Sequence, residues 1–213
     1  MKDFIKEFFV FSRGMLRVMY FGGPLFYVWM LVLTVVFLIG VVCYSRILIE
    51  GFVVSNLRDQ VPWGFLIANF TFLVGIGSAA VLLIIPAYLY GFKPVKEIVA
   101  FGELLAVTTI LMSLLFIMVH LGRVDRFWHI LPGIGILNWP DSLIAWDVLA
   151  LNGYMAVCLF TAVYIGGHRY FDKEPDSRVV MPLVLISIPL AISVHALTAF
   201  IYNGFVARCF FIA

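Results

Sequence analysis

Five long stretches almost free of charge dominate this sequence and limit what it can fold into. They cover approximately residues 24–45, 63–90, 98–121, 143–166 and 179–202, and of the 14 basic and 12 acidic residues only Glu103 and Asp147 fall inside them. A bilayer core of about 30 Å is crossed by roughly 20 apolar residues at about 1.5 Å each, so every stretch predicts a transmembrane helix. The chain is 64% hydrophobic and 12% charged, against about 45–50% and about 25% in soluble domains, which excludes a water-soluble globule. Gly22-Gly23-Pro24, Val61-Pro62-Trp63 and Gly91-Phe92-Lys93-Pro94 supply helix-stopping or interfacial chemistry at span ends. The ten-residue alternation of an outer-membrane barrel is absent. The expectation is an all-α integral membrane protein, with an N-terminal cytoplasmic amphipathic segment over 1–22 and five helices within a transmembrane domain over 23–213.

Lys and Arg mark the cytoplasmic side of membrane proteins. Lys2, Lys6, Arg13, Arg17, Lys93, Lys96, Arg169, Lys173 and Arg178 fall on one side, and Arg46, Arg58, Arg123, Arg126 and Arg208 on the other. This distribution places the N-terminus in the cytoplasm. Within 1–22, Phe4, Ile5, Phe8, Phe9, Met15, Leu16, Met19 and Tyr20 recur at helical spacing against Lys2, Lys6, Arg13 and Arg17, the pattern of a helix lying on the inner leaflet. No small-residue cleavage site follows, so the segment does not read as a signal peptide. A net charge of +2 gives no nucleic-acid footprint. Cys43, Cys158 and Cys209 form no CxxC or CxxCH pattern, so no iron–sulfur, haem-attachment or other metal motif is present.

Counting depth along each helix, with Trp63 near the outer boundary, places Asn69, His120, Asp147 and His195 in the outer third and Tyr154 near mid-depth, one face with Asp147. Ionisable groups in hydrocarbon cost about 2.5–3.5 kcal/mol each, and they persist where they pair or line a functional cavity. Such a layer, with Arg123 beside it, suits a polar ring on an apolar tail, which is the shape of a quinone. His and Asp suit proton exchange with its hydroxyls. Plainer readings stand beside this one. Asn69 and Tyr154 can simply bond neighbouring helices, Asp147 with Arg123 can be a structural staple, and His120 can be an interfacial histidine. Glu103 stands apart in the inner third, as a proton entry point or as a side chain snorkelling to the inner headgroups. Thr108, Thr109 and Ser113 extend a weak polar thread from it. The run Gly75-Ile76-Gly77-Ser78-Ala79-Ala80 reads as a close helix approach. Trp63, Trp128, Trp139 and Trp146 form an outer aromatic belt, in which Trp63 and Trp146 can also wall a ring-binding pocket.

The segment Val119-His120-Leu121-Gly122-Arg123-Val124-Asp125-Arg126-Phe127-Trp128-His129, with Val61-Pro62-Trp63-Gly64, Trp146-Asp147-Val148, Asn152-Gly153-Tyr154 and Ser193-Val194-His195-Ala196-Leu197-Thr198-Ala199-Phe200, resembles the NrfD-like or polysulfide-reductase membrane subunit family. Its wording, continued by Leu131-Pro132-Gly133-Ile134-Gly135, is most similar to the DsrP branch, found in the DsrMKJOP complex of sulfur metabolism. The resemblance implies a longer bundle of about eight to ten spans, of which this chain would be the front half. It also implies a menaquinone site near the outer face, with His120, Arg123, Asp147 and His195 in quinone-site roles and Asn69 and Tyr154 beside them. The partners implied are a ferredoxin-like iron–sulfur subunit, a multihaem cytochrome c and a cytochrome b-type membrane subunit. Val124 stands where many relatives have Pro, and His120 where many have Asp.

These readings lead to a menaquinol-interacting membrane subunit of a respiratory electron-transfer complex, without a redox cofactor of its own and with Glu103 as a proton path. The alternatives are a b-type cytochrome with His120 and His195 as haem ligands, a transporter, and a purely structural membrane anchor.

Overall fold

The computed structural model describes residues 2–57, 63–122, 124–130, 133–136 and 138–203, and among them every regular element is a helix. We label the long ones α1 (Lys2–Tyr20), α2 (Pro24–Glu50), α3 (Phe65–Leu89), α4 (Val99–His120), α5 (Leu143–Tyr170) and α6 (Ser177–Asn203). The last five have 27, 25, 22, 28 and 27 residues, and at about 1.5 Å per residue each reaches across a hydrocarbon core of about 30 Å. They match the five expected spans.

The chain divides into two compact units, Met1–Pro62 with Gly167–Lys173, and Trp63–Gly166 with Glu174–Ala213. In the first, Pro24 opens α2 behind an extended Gly23 (φ −72°, ψ 174°), since proline lacks the N–H that a first helical turn leaves unbonded anyway. Gly51 at φ 81° closes it. No residue of α2 is buried and an 18-residue stretch of it has a mean hydropathy of 2.7, as for a helix apolar on every side and solvated by lipid. At the other end of this unit, Tyr170 meets Phe11 of α1 edge-on at 5.6 Å.

The second unit holds the core. Val74, Ile110, Leu151, Tyr154, Cys158 and Val194 centre one cluster, and Ile84, Ala87, Val99, Ile165, Val180 and Val184 a second towards the other end. α3 and α4 pack closely because glycine removes a side chain at two crossings. A Cβ on Gly77 would stand 2.8 Å from Ile110 Cγ1, and one on Gly102 would stand 2.8 Å from Leu83 Cδ1. These pairs fix an antiparallel register in which the two residue numbers sum to about 186.

The small-residue run 75–80 therefore does bring helices close, and it also interrupts α3. At Ala80 the ladder tightens, with the Ala80 N–H bonding the Gly77 carbonyl at 3.3 Å. The Tyr154 hydroxyl donates to that same carbonyl at 3.2 Å. A side chain drawing on a ladder carbonyl is a recognised cause of helix breaks. Six residues on, Pro86 lacks an N–H to offer, and α3 widens into a π-turn over Ile85–Leu89.

Candidate functional site

The polar groups of the second unit meet along the seam where α3 and α6 run antiparallel. Two rungs cross it. In one, the hydroxyls of Thr71 and Tyr202 bond to each other. In the other, Ser78 Oγ lies 2.6 Å from His195 Nε2. Seven residues separate the rungs on each helix, so they lie roughly 10 Å apart in depth. Between them, on the third side, Asp147 of α5 is only 3% exposed, with Oδ1 3.5 Å from Thr198 Oγ1, whose hydroxyl also donates to the Val194 carbonyl at 2.8 Å. Above the upper rung, the half-buried Trp63 ring meets Tyr202 edge-on at 4.9 Å.

The Ser78–His195 contact at 2.6 Å fits either His195 tautomer. In the one where Ser78 gives its single proton to the Val74 carbonyl at 2.7 Å, Ser78 Oγ accepts from Nε2–H and Nδ1 of His195 carries the lone pair. His195 as a residue is exposed on the flank of the seam, so that nitrogen belongs to an accessible side chain. The ring reaches back to Ser78 because helical side chains tilt towards the helix N-terminus.

The expected residues are drawn out over several levels. From the α3–α4 register, His120, half-buried at the end of α4, stands opposite residues 66–67 of α3, while His195 reaches Ser78. Their levels differ by roughly 16 Å, more than two imidazoles can close onto one haem iron. Asp147 lies between them. The half-buried Asn69 turns its amide onto its own helix, Nδ2 donating to the Phe65 carbonyl at 2.9 Å. Tyr154 is fully buried and engaged with Gly77, which is the plainer of its two readings. Arg123 lies outside the described residues, as does any pairing it makes with Asp147.

Glu103 does not snorkel. It is 1% exposed within the core, one turn into α4, and neither carboxyl oxygen has a hydrogen-bond partner among the described residues. Its polar neighbours are Cys158 and Tyr154. Thr109 and Ser113 are buried beside α3 but bond carbonyls of their own helix, at 2.8 Å to Leu105 and 2.7 Å to Ile110. Thr108 is exposed. From His120 to Glu103 is 17 residues of α4, roughly 25 Å.

An open apolar groove of about 370 Å³ follows the opposite flank of α6, lined by Trp146, Leu149, Ala150, Leu190, Ser193 and Leu197. Trp146 is 40% exposed there and its indole N–H donates to the Pro140 carbonyl at 2.8 Å. At about 100° per residue, the groove's α6 residues and His195 point to opposite sides of Thr198. Trp63 and Trp146 thus stand on different flanks and do not wall one pocket. Ser78, Thr198, Tyr202 and Cys158 complete the polar set. Hydroxyls are common in membrane helices, and only their pairing across helices, which a linear reading lacks, distinguishes these.

Fold and site together define a multi-pass membrane protein with a hydrophilic seam inside its bundle. The sequence profile described as "Polysulphide reductase, NrfD" matches residues 53–213, and the chain belongs to that family. It is 23% identical over 147 residues to a selenate reductase subunit of Mesobacillus selenatarsenatis, covering 69% of this chain and 34% of that protein. It is 21% identical over 160 residues to the Hdr-like menaquinol oxidoreductase integral membrane subunit of Archaeoglobus fulgidus, covering 75% and 38%. It is 29% identical over 159 residues to a polysulfide reductase subunit of Wolinella succinogenes, covering 68% and 49%. The chain spans between about a third and a half of the length of these relatives. No solved structure matches it.

Proposed function

We propose that this chain is a menaquinone-interacting integral membrane subunit of a multi-subunit respiratory electron-transfer complex, and that the α3–α6 seam is where the quinone ring is handled. The observation that carries the reading is the buried Asp147 between the Thr71–Tyr202 and Ser78–His195 rungs. A buried carboxyl and the imidazole of an exposed residue share that seam, in a family whose relatives are named as subunits of reductases or of a menaquinol oxidoreductase.

A quinol loses two protons and two electrons on oxidation. His195 Nδ1 is the acceptor for the first ring hydroxyl, with Ser78 holding the ring orientation through Nε2. Asp147 receives or relays the second proton through the Thr198 and Tyr202 hydroxyls. His120, nearer the outer boundary, passes protons on to the exterior, and Arg123 is placed beside it by sequence. The electrons leave to a partner's redox centre. The same steps run in reverse for quinone reduction.

The partners we propose are a ferredoxin-like iron–sulfur subunit, a multihaem cytochrome c and a cytochrome b-type membrane subunit, in a sulfur-metabolising complex of the DsrP type. The membrane is the prokaryotic cytoplasmic membrane, with the N-terminus on the cytoplasmic side. Glu103, with Cys158 and Tyr154 beside it, extends the hydrophilic line inward and supports proton translocation through this subunit. The test is Asp147→Asn in the assembled complex. Removing a positioned proton-transfer group lowers quinol-dependent turnover by about 10²–10⁴-fold, with the subunits still assembled. Unchanged turnover would return Asp147 to a structural role.

A further inference from the structure

α1 carries three chemically distinct faces, and contacts on one of them set its rotation. Glu7 pairs with Lys173 at 2.6 Å, Phe11 meets the Tyr170 ring at 5.6 Å, and Gly14 lies under Tyr170, where a Cβ would come 2.9 Å from the hydroxyl. At about 100° per residue these three positions share an arc of roughly 60°. With that face held against Tyr170 at the end of α5 and Lys173 beyond it, the other two are aimed. Phe8, Met15, Leu16 and Met19 are 45–65% exposed on one. Lys6, Arg13 and Arg17 are exposed on the other, within an arc of roughly 40° that borders the apolar face. From Lys6 to Tyr20 the acidic residue is Glu7, and it is committed to Lys173. The stripe therefore carries three cations with no acid of its own among them.

We propose that α1 is a binding site for anionic phospholipid headgroups. The Lys6–Arg13–Arg17 stripe takes the phosphates, and the adjoining apolar face enters the acyl boundary. Three like charges on one stripe need a polyanionic surface, and a continuous apolar rim beside them fits a leaflet better than a soluble acidic protein. The Glu7–Lys173 pair makes the site specific, because it fixes which way the stripe points and engages the carboxylate next to Lys6.

The test uses the full chain purified in a neutral detergent, with phosphatidylglycerol or phosphatidylcholine added and retained lipid counted by native mass spectrometry. Wild type retains phosphatidylglycerol in preference to phosphatidylcholine, and added salt weakens that retention. The triple variant Lys6→Gln, Arg13→Gln, Arg17→Gln reduces it about tenfold or more, and Lys93→Gln, off α1, leaves it unchanged. Equal retention of the two lipids, retention indifferent to salt, or full retention in the triple variant would overturn the proposal. Tighter binding of poly-glutamate than of phosphatidylglycerol would overturn it in favour of an acidic protein partner. The salt series on wild type decides the matter should the triple variant fail to fold.

Discussion

Ser78 illustrates how much one hydroxyl can set. With its proton on the Val74 carbonyl, its oxygen takes Nε2–H of His195, and the base on the accessible imidazole becomes Nδ1. Ser78→Ala removes that restraint without touching the ring. We expect a several-fold fall in quinol-dependent turnover at unchanged subunit assembly, in line with about 1 kcal/mol for one hydrogen bond. His195→Leu removes the acceptor itself and is expected to cost about 10²-fold or more in turnover while the complex still assembles. Steady-state quinol oxidation by the reconstituted complex measures both. Asp147 and His195 are legible in the sequence because ionisable groups inside apolar spans are scarce. Ser78, Thr198 and Tyr202 are not, since each looks like an ordinary helix-bonding hydroxyl until its partner on another helix is known.

At the scale of the helix, the spans follow from composition alone: each is bounded by glycine, proline or interfacial aromatics and is emptied of charge between. The interruption of α3 is less visible. Gly75 to Ala80 announces close packing, and Gly77 delivers it under Ile110. The break at Ala80, however, depends on Tyr154 reaching across from α5, which no local propensity encodes. Gly77→Leu puts a branched side chain where a Cβ already stands 2.8 Å from Ile110 and 3.0 Å from Thr109 Oγ1. Overpacking of this kind costs typically about 1–3 kcal/mol, and we expect a lower midpoint in a thermal unfolding scan of the detergent-solubilised protein. Gly75→Ala, where a Cβ meets nothing within 4 Å, is expected to leave the midpoint nearly unchanged.

For the whole molecule, counting depth from each helix end predicts one polar layer, and the structure stretches that layer into a column. The cause is register. Thr71 rather than Phe65 is level with Tyr202, so the C-terminal residues of α6 sit further along α3 than a count from their own helix end implies. With Glu103 17 residues from His120 on α4, hydrophilic groups extend over roughly 25 Å, most of a hydrocarbon core of about 30 Å. Glu103→Gln keeps the shape and removes the ionisable proton. We expect quinol-dependent electron transfer to persist in proteoliposomes while coupled proton movement is lost, and unchanged proton movement would take Glu103 out of the path. A density map of the assembled complex with a bound quinone analogue tests whether a quinone ring is handled at the α3–α6 seam. Handling there predicts ring density against His195 and Tyr202, with Asp147 behind them. A ring lodged instead in the groove of Trp146 and Leu190, or on a different subunit with the seam closed by packed side chains, would contradict it.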